Sequence, residues 1–357
     1  MKKNNSIFKI RNRRIGPGHP VFIVAEISAN HKGSFERAKE LVKTACECGA
    51  DAIKLQTYTP DTITIDCSNK YFRVKVNDAW KGKTLYELYG EAYMPWEWQP
   101  ALKKLASSFG VPLFSTPFDE TSVGFLEKMG VPAYKVASFE IGDIGLLKKI
   151  ASTKKPVIIS RGMASLVELR LAISTLRKNG AKNIAILHCV SSYPAKPEEM
   201  NLATISDIRK RFGVIVGLSD HTLTTSVAVA SVALGAKIIE KHFTLRRADG
   251  GPDASFSLEP EEFKDLIESV RQVEKAIGKV HYGAGKGESE NIVFRRSLFV
   301  VKDVKKGEKF TRENVRSIRP GYGLAPMYLP KILGKKAKKE IKQGTPLTRN
   351  LIVGRLV

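Results

Sequence analysis

No stretch of this sequence approaches the roughly 18 uninterrupted apolar residues that cross a bilayer. Its basic start, MKKNNSIFKIRNRR, has neither the apolar run nor the cleavage site of a secretion signal, so neither a membrane nor an exported protein is expected. Cysteine is scarce. Cys46, Cys48, Cys67 and Cys189 are too few for a disulfide framework in 357 residues, and the single residue between Cys46 and Cys48 is one short of a redox or zinc pair. A reducing cytoplasm is the expected setting. With 17 Pro and 28 Gly, collagenous and low-complexity classes fall away, and 43% hydrophobic residues supply a sizeable core. The length suits a barrel-sized domain followed by a small one.

Acidic residues are also in short supply, 36 against 59 Lys and Arg, but the net charge of +23 is unevenly spread. Residues 1–14 carry +6 and residues 295–357 carry +13, leaving the 280 residues between them at only +4. No zinc finger, helix-turn-helix or basic helix with interleaved aromatics accompanies this charge, so no nucleic-acid partner is expected; attraction of an anionic small molecule accounts for it better.

What is present is a repeat of strand and helix. Short β-branched runs occur eight times: VFIVAEI (21–27), AIKLQTY (52–58), VPLFSTP (111–117), AYKVAS (133–138), PVIISRGM (156–163), NIAILHC (183–189), VIVGLSD (214–220) and KIIEKHF (237–243). Helical stretches such as 34–48, 166–179 and 224–234 lie between them, several closed by glycine (Gly49, Gly110, Gly130, Gly180, Gly235). Near-continuous apolar strands are buried on both faces, and eight alternations predict an α/β fold of the (β/α)8 TIM-barrel type rather than a doubly wound sheet.

The second and third runs are about twice as far apart as the others. The extra stretch, about 58–100, holds Trp80, Trp96 and Trp98, and its place after a strand puts it at the functional mouth. It reads as a substrate-facing connection with some helix, whose tryptophans either line the mouth or staple the connection down. After a last helix (261–277), the Gly-rich HYGAGKGESEN marks a boundary, and two short units of apolar run and basic turn follow. The division expected is a basic tail (1–15), a catalytic barrel (16–280), a linker (281–294) and a compact cap (295–357).

Polar groups gather where the strands end, which is where a barrel of this kind keeps its chemistry. These are Glu26; Lys54 and Gln56; Ser115 and Thr116; Lys135, Ser138 and Glu140; Ser191 and Tyr193; Ser219, Asp220 and His221; Glu240 and His242. His221 and His242 sit at the ends of neighbouring strands, which favours a shared metal over two core imidazoles, with positions left open for substrate oxygens. Lys54 and Lys135, with Ser138 and Ser219, would make a cationic pocket for phosphate or carboxylate, or else pair with Glu26 or Glu240.

The motifs AEISANHKGS (25–34), KLQTYTPDT (54–62), STPFD (115–119), YKVASFE (134–140), SRGM (160–163), GLSDH (217–221), EKHFT (240–244) and GPD (251–253) resemble those of the sialic acid synthases, which condense phosphoenolpyruvate with an N-acetylated aminosugar. The segment with RPGYGL (319–324) resembles their antifreeze-like (SAF) cap. Within that family, LYELYGEAYMPWEW (85–98), DGGPDASFSLEP (249–260) and VRSIRPGYGLAP (315–326) are most similar to the pseudaminic acid synthases, whose acceptor is 2,4-diacetamido-2,4,6-trideoxy-L-altrose. The resemblance implies that His221 and His242 bind manganese or magnesium. It implies that Lys54, Thr116, Lys135, Ser138, Tyr193 and Ser219 hold phosphoenolpyruvate, and that Glu26, Gln56 and Asp253 lie near the sugar. Ser191, another candidate, stands where sialic acid synthases generally carry asparagine. Glu140 matches a catalytic carboxylate, and Glu26 joins it as a candidate. The resemblance also implies a domain-swapped homodimer in which Arg319 reaches the partner's acceptor sugar. Other acceptors remain open here, N-acetylmannosamine or a legionaminic-acid precursor among them. A phosphorylated aldose would need a second phosphate cradle, and a binding module on a dead barrel would not keep both lysines, both histidines and Glu140.

Overall fold

The computed structural model describes residues 7–75 and 80–355. Contacts divide the chain into two units, Met1–Gly278 and Lys279–Val357.

The first unit opens with a hairpin, β1 (Phe8–Ile10) and β2 (Arg13–Ile15), within the segment read as a basic tail. Its alternation hides Phe8, Ile10 and Ile15 in the same core as the rest of the unit, and Arg13 lies 3.5 Å from Asp51, just ahead of a barrel strand. Eight strands follow: β3 (Phe22–Glu26), β4 (Ala52–Thr57), β5 (Leu113–Pro117), β6 (Tyr134–Val136), β7 (Val157–Ser160), β8 (Ile184–Cys189), β9 (Ile215–Asp220) and β10 (Ile238–His242). Each pairs in parallel with the next, and β10 closes on β3, so all eight expected runs form one barrel. The strands are buried almost throughout because helices cover them outside and side chains fill them inside.

Local chemistry sets the helix limits. Asp119 accepts from the backbone N–H groups of Thr121 and Ser122 to start Glu120–Met129, and Gly130 ends that helix in the left-handed conformation. Ser165 and Glu168 form a reciprocal capping box on Leu166–Lys178. The amphipathic Phe35–Glu47 buries Ala38, Leu41, Val42 and Ala45 against the strands.

The long connection after β4 carries helices at Pro60–Ile63 and Leu85–Ala92 and a 3-10 turn at Trp96–Trp98. Its tryptophans divide between the two expected roles. Trp96 donates to the Tyr58 carbonyl (3.1 Å) and packs on Phe125, while Trp98 packs on His31 and Phe35; both are staples. Only Trp80 faces the barrel mouth.

The second unit pairs β11 (Ser297–Val300) with β12 (Val315–Ile318) in antiparallel fashion. It has a core of its own, with Leu298, Val300, Val304, Phe310, Ile332 and Leu347 fully buried, and residues 281–294 contribute two 3-10 turns to it. Among the described residues, no helix is long and apolar enough to cross a membrane.

Candidate active site

A cavity of about 830 Å³ opens at the carboxyl ends of the barrel strands. Its floor is charged. Lys54, from β4, and Lys135, from β6, expose only 4% and 2% of their surface, so each ammonium needs a counter-charge. Glu240, on β10, lies between them, its Oε1 3.2 Å from Lys54 Nζ and 3.4 Å from Lys135 Nζ, and accepts also from Ser219 Oγ. Lys54 is further paired with Glu26 and donates to Thr116 (3.2 Å), and Lys135 donates to Ser160 (2.8 Å). Burial alone would depress Lys54, but Glu240 and Glu26 outweigh it and hold its pKa above the ordinary lysine value; for Lys135, burial wins and the pKa is lowered. Burial opposes the Glu240 carboxylate, yet Lys135 and Lys54 keep its pKa below normal, whereas burial raises that of Glu26. An incoming anion would meet two ammonium groups whose present partners are these carboxylates.

Beside the floor, Ser138 and Ser191 share a hydrogen bond of 2.9 Å. Gly162, from the SRGM motif, backs them. It adopts a φ of +46°, and a Cβ there would fall 2.2 Å from Ser138 Cβ and 2.9 Å from Ser191 Oγ. Gly162→Ala is therefore expected to displace the two serines and lower kcat/KM for an anionic substrate held there by about 10²-fold. Steady-state kinetics with that substrate varied checks this, and an unchanged kcat/KM contradicts it.

The two histidines stand at the edge of the same cavity, their rings 5.4 Å apart. His221 bonds the Val190 carbonyl through Nδ1 (2.8 Å), which makes that nitrogen the donor and leaves the Nε2 lone pair for a ligand. His242 Nδ1 is buried without a hydrogen-bond partner among the described residues. Burial, with His221 next to it, holds the His242 pKa well below the usual imidazole value, so the ring is neutral at pH 7. Burial opposes a charge on His221, but Cys189 and the Val190 carbonyl outweigh it and hold its pKa above the usual imidazole value. A neutral His242 with an orphaned nitrogen, beside a second imidazole that gives up its proton on binding, fits a divalent metal. No cluster of three or more His, Cys, Asp or Glu side chains converges on a metal position among the described residues, so other positions would be open to water or substrate.

Against the histidines, Tyr193 packs on His221 (4.3 Å between rings) and on Phe256, and Trp80 lies 6.1 Å from Tyr193 while donating to the Pro252 carbonyl. Asp253, the next residue, accepts from Ser28 Oγ and from the Ala29 N–H, and Gln56 donates to the same Ser28 hydroxyl (3.3 Å). Burial pushes Asp253 up to about 6 and Glu140 up to about 7, and Glu140 Oε2 has no hydrogen-bond partner among the described residues. An apolar wall from the long connection, with Ile63, Val74, Trp80, Leu85 and Leu88, completes the cavity.

Lys54, Gln56, Lys135, Ser138, Glu140, Ser191, Tyr193, Ser219, His221, His242 and Asp253 thus all line one cavity, with Glu26 and Thr116 directly behind Lys54. Arg319 lies in the second unit, exposed, just after β12, where Ser297 holds the Pro320 carbonyl (2.6 Å) and the Gly321 N–H donates to Val293. Ser160, the last residue of β7, is a site residue that the sequence reading does not single out, and Glu240, expected as a partner of one lysine or the other, pairs with both.

A family model described as the NeuB family matches residues 41–282, and the SAF domain matches residues 295–353. The chain belongs to the NeuB family. A pseudaminic acid synthase of Campylobacter jejuni is 44% identical over 92% of this chain and 95% of its own. An N,N'-diacetyllegionaminic acid synthase of Legionella pneumophila is 37% identical over 97% of this chain and 98% of its own. Among solved structures, an N-acetylneuraminic acid synthetase from Leptospira borgpetersenii, in complex with citrate, superposes with a TM-score of 0.72 at 32% identity, over 81% of this chain and 95% of that one. A (β/α)8 barrel followed by a SAF domain is accordingly the NeuB-family architecture seen here.

Proposed function

We propose that the enzyme condenses phosphoenolpyruvate with 2,4-diacetamido-2,4,6-trideoxy-L-altrose, releasing phosphate and pseudaminic acid. The observation that carries this reading is the two-sided cavity: a buried floor of two lysines and two carboxylates for a small polyanion, facing an apolar wall for a deoxygenated, twice-acetylated sugar. The 44% identity to a pseudaminic acid synthase supports the acceptor.

A divalent metal, Mn2+ or Mg2+, held by His221 and His242, supplies Lewis acidity at the aldehyde of the open-chain sugar. Lys54 and Lys135, with Thr116, Ser138, Ser191 and Ser219, hold the phosphate and carboxylate of phosphoenolpyruvate, while Tyr193 forms the side wall. Gln56 and Asp253 position the sugar so that its C1 meets C3 of the enol, while Glu26 holds Lys54 from behind. As that carbon–carbon bond forms, C2 becomes cationic and the aldehyde oxygen takes a proton from solvent to become a hydroxyl. Water adds to C2 and gives one proton to Glu140; the C2–O bond to phosphate then breaks, the remaining C2 hydroxyl proton passes to the leaving phosphate, and the 2-keto acid is left. We place the reaction in the cytoplasm, in keeping with four free cysteines.

Incubation with phosphoenolpyruvate, the diacetamido sugar and Mn2+ is expected to release one phosphate per sugar consumed, with a nine-carbon acid as product. Phosphate release without consumption of sugar would overturn the reading.

We further propose a homodimer in which each cap closes the partner's barrel and offers Arg319 to the acceptor. The anchored turn after Arg319 can aim a guanidinium, and the cap brings +13 of charge to a reaction whose phosphoenolpyruvate substrate is a polyanion. Inactive His221→Ala and Arg319→Ala chains, mixed and reassociated, should then regain activity, since mixed dimers hold one intact site. A mixture that stays dead contradicts exchanged caps.

A further inference from the structure

Behind the two histidines, on the outer face of the strands, lies a second charge pair that no step above uses. Asp220 and Lys241 are register partners across β9 and β10, and each precedes one of the histidines. Side chains alternate along a strand, so these two turn away from the cavity into the packing between barrel and helices. Both side chains are fully buried, with Lys241 Nζ 2.7 Å from Asp220 Oδ2. The same ammonium donates to the Thr222 carbonyl, and Asp220 Oδ1 accepts from the Thr222 N–H (2.9 Å).

His221 stands one residue beyond the end of β9, outside the sheet ladder, with its carbonyl accepting from the Ala195 N–H (3.1 Å). The residues on either side of it, Asp220 and Thr222, are both tied to Lys241, whose own neighbour is His242. A buried ion pair in such a place is weak as a source of stability, since an apolar pair of similar volume often serves as well or better. What it supplies is a fixed spacing. We propose that Asp220 and Lys241 are positioning residues that clamp His221 opposite His242 and so set the geometry in which a divalent cation is bound. This rests on the reading of the two histidines as metal ligands.

The test is Mn2+ affinity of metal-free full-length protein, followed by the electron paramagnetic resonance of free Mn2+, alongside thermal melts without metal. The neutral pair D220N/K241M keeps the Thr222 N–H acceptor and leaves no lone buried charge. It is expected to melt near the wild-type temperature yet bind Mn2+ about 10–100-fold more weakly, the usual effect of loosening the groups behind a ligand. Wild-type affinity in this variant overturns the clamp. Should the double variant melt too early to titrate, Lys241→Arg keeps the charge but puts a longer, planar head group between Asp220 and Thr222 and so alters the spacing that the ammonium sets. Weakened Mn2+ binding by Lys241→Arg supports the proposal, and wild-type binding overturns it. His242→Ala separates the two readings: if it binds Mn2+ like the wild type, or the wild type binds none, the metal reading itself fails and the clamp with it.

Discussion

Glu140→Gln is expected to lower kcat by about 10²–10⁴-fold, the contribution of one positioned acid–base group. Glu140 faces the cavity, burial raises its pKa to about 7, and one of its oxygens has no hydrogen-bond partner among the described residues. A carboxylate that must accept a proton from water works only when ionised, so kcat should fall as pH drops through about 7. Glutamine keeps the shape and removes the base. The limb near pH 7 should vanish with the activity, leaving any lower limb, such as that of Asp253 near 6, in place. A variant with near wild-type kcat and the same limb would assign the proton to another group.

Removing the metal site should cost a comparable amount. Chelation, or His242→Ala, is expected to reduce turnover by about 10³-fold or more, because Lewis-acid stabilisation is worth several kcal/mol and each 1.4 kcal/mol or so is tenfold. His242 borders a cavity and its Nδ1 is bonded to nothing described, so truncation should leave the melting temperature almost unchanged. Turnover measured after dialysis against chelator, and again after adding back Mn2+ or Mg2+, checks the first arm. Full activity in metal-free protein would remove the Lewis acid from the reaction.

Much of this fold is legible in the sequence because barrel strands are buried on both faces and so appear as uninterrupted apolar runs: each of the eight runs from VFIVAEI to KIIEKHF became a strand. Most strand-end residues were legible for the same reason, since polar groups that close apolar strands gather at the mouth, although Asp220, which closes β9, turns outward to Lys241. Partnerships were not. Glu240 could have served either lysine or neither, and only closure of the barrel brings Lys54 on β4 and Lys135 on β6 to the same carboxylate. The tryptophans show a second limit. Composition gathered Trp80, Trp96 and Trp98 into one aromatic segment, but the last two precede and enter the helix Gln99–Ser108 and are drawn to its packing, leaving Trp80 for the cavity. The hairpin of Phe8, Ile10 and Ile15 was masked by the arginines and lysines between its apolar positions.

The most direct measurement compares kcat/KM for 2,4-diacetamido-2,4,6-trideoxy-L-altrose, a diacetamido-mannose-type sugar and N-acetylmannosamine, with phosphoenolpyruvate saturating and phosphate release as readout. A wall of Ile63, Val74, Trp80, Leu85 and Leu88 offers surface to a methyl and two acetyl groups, and the same connection adds only Tyr58 and Tyr89 as hydroxyl-bearing side chains among the described lining residues. The diacetamido altrose is therefore expected to exceed N-acetylmannosamine by about 10²-fold or more, the discrimination reached when several apolar contacts are lost together. Equal values for these two sugars would contradict the proposed acceptor.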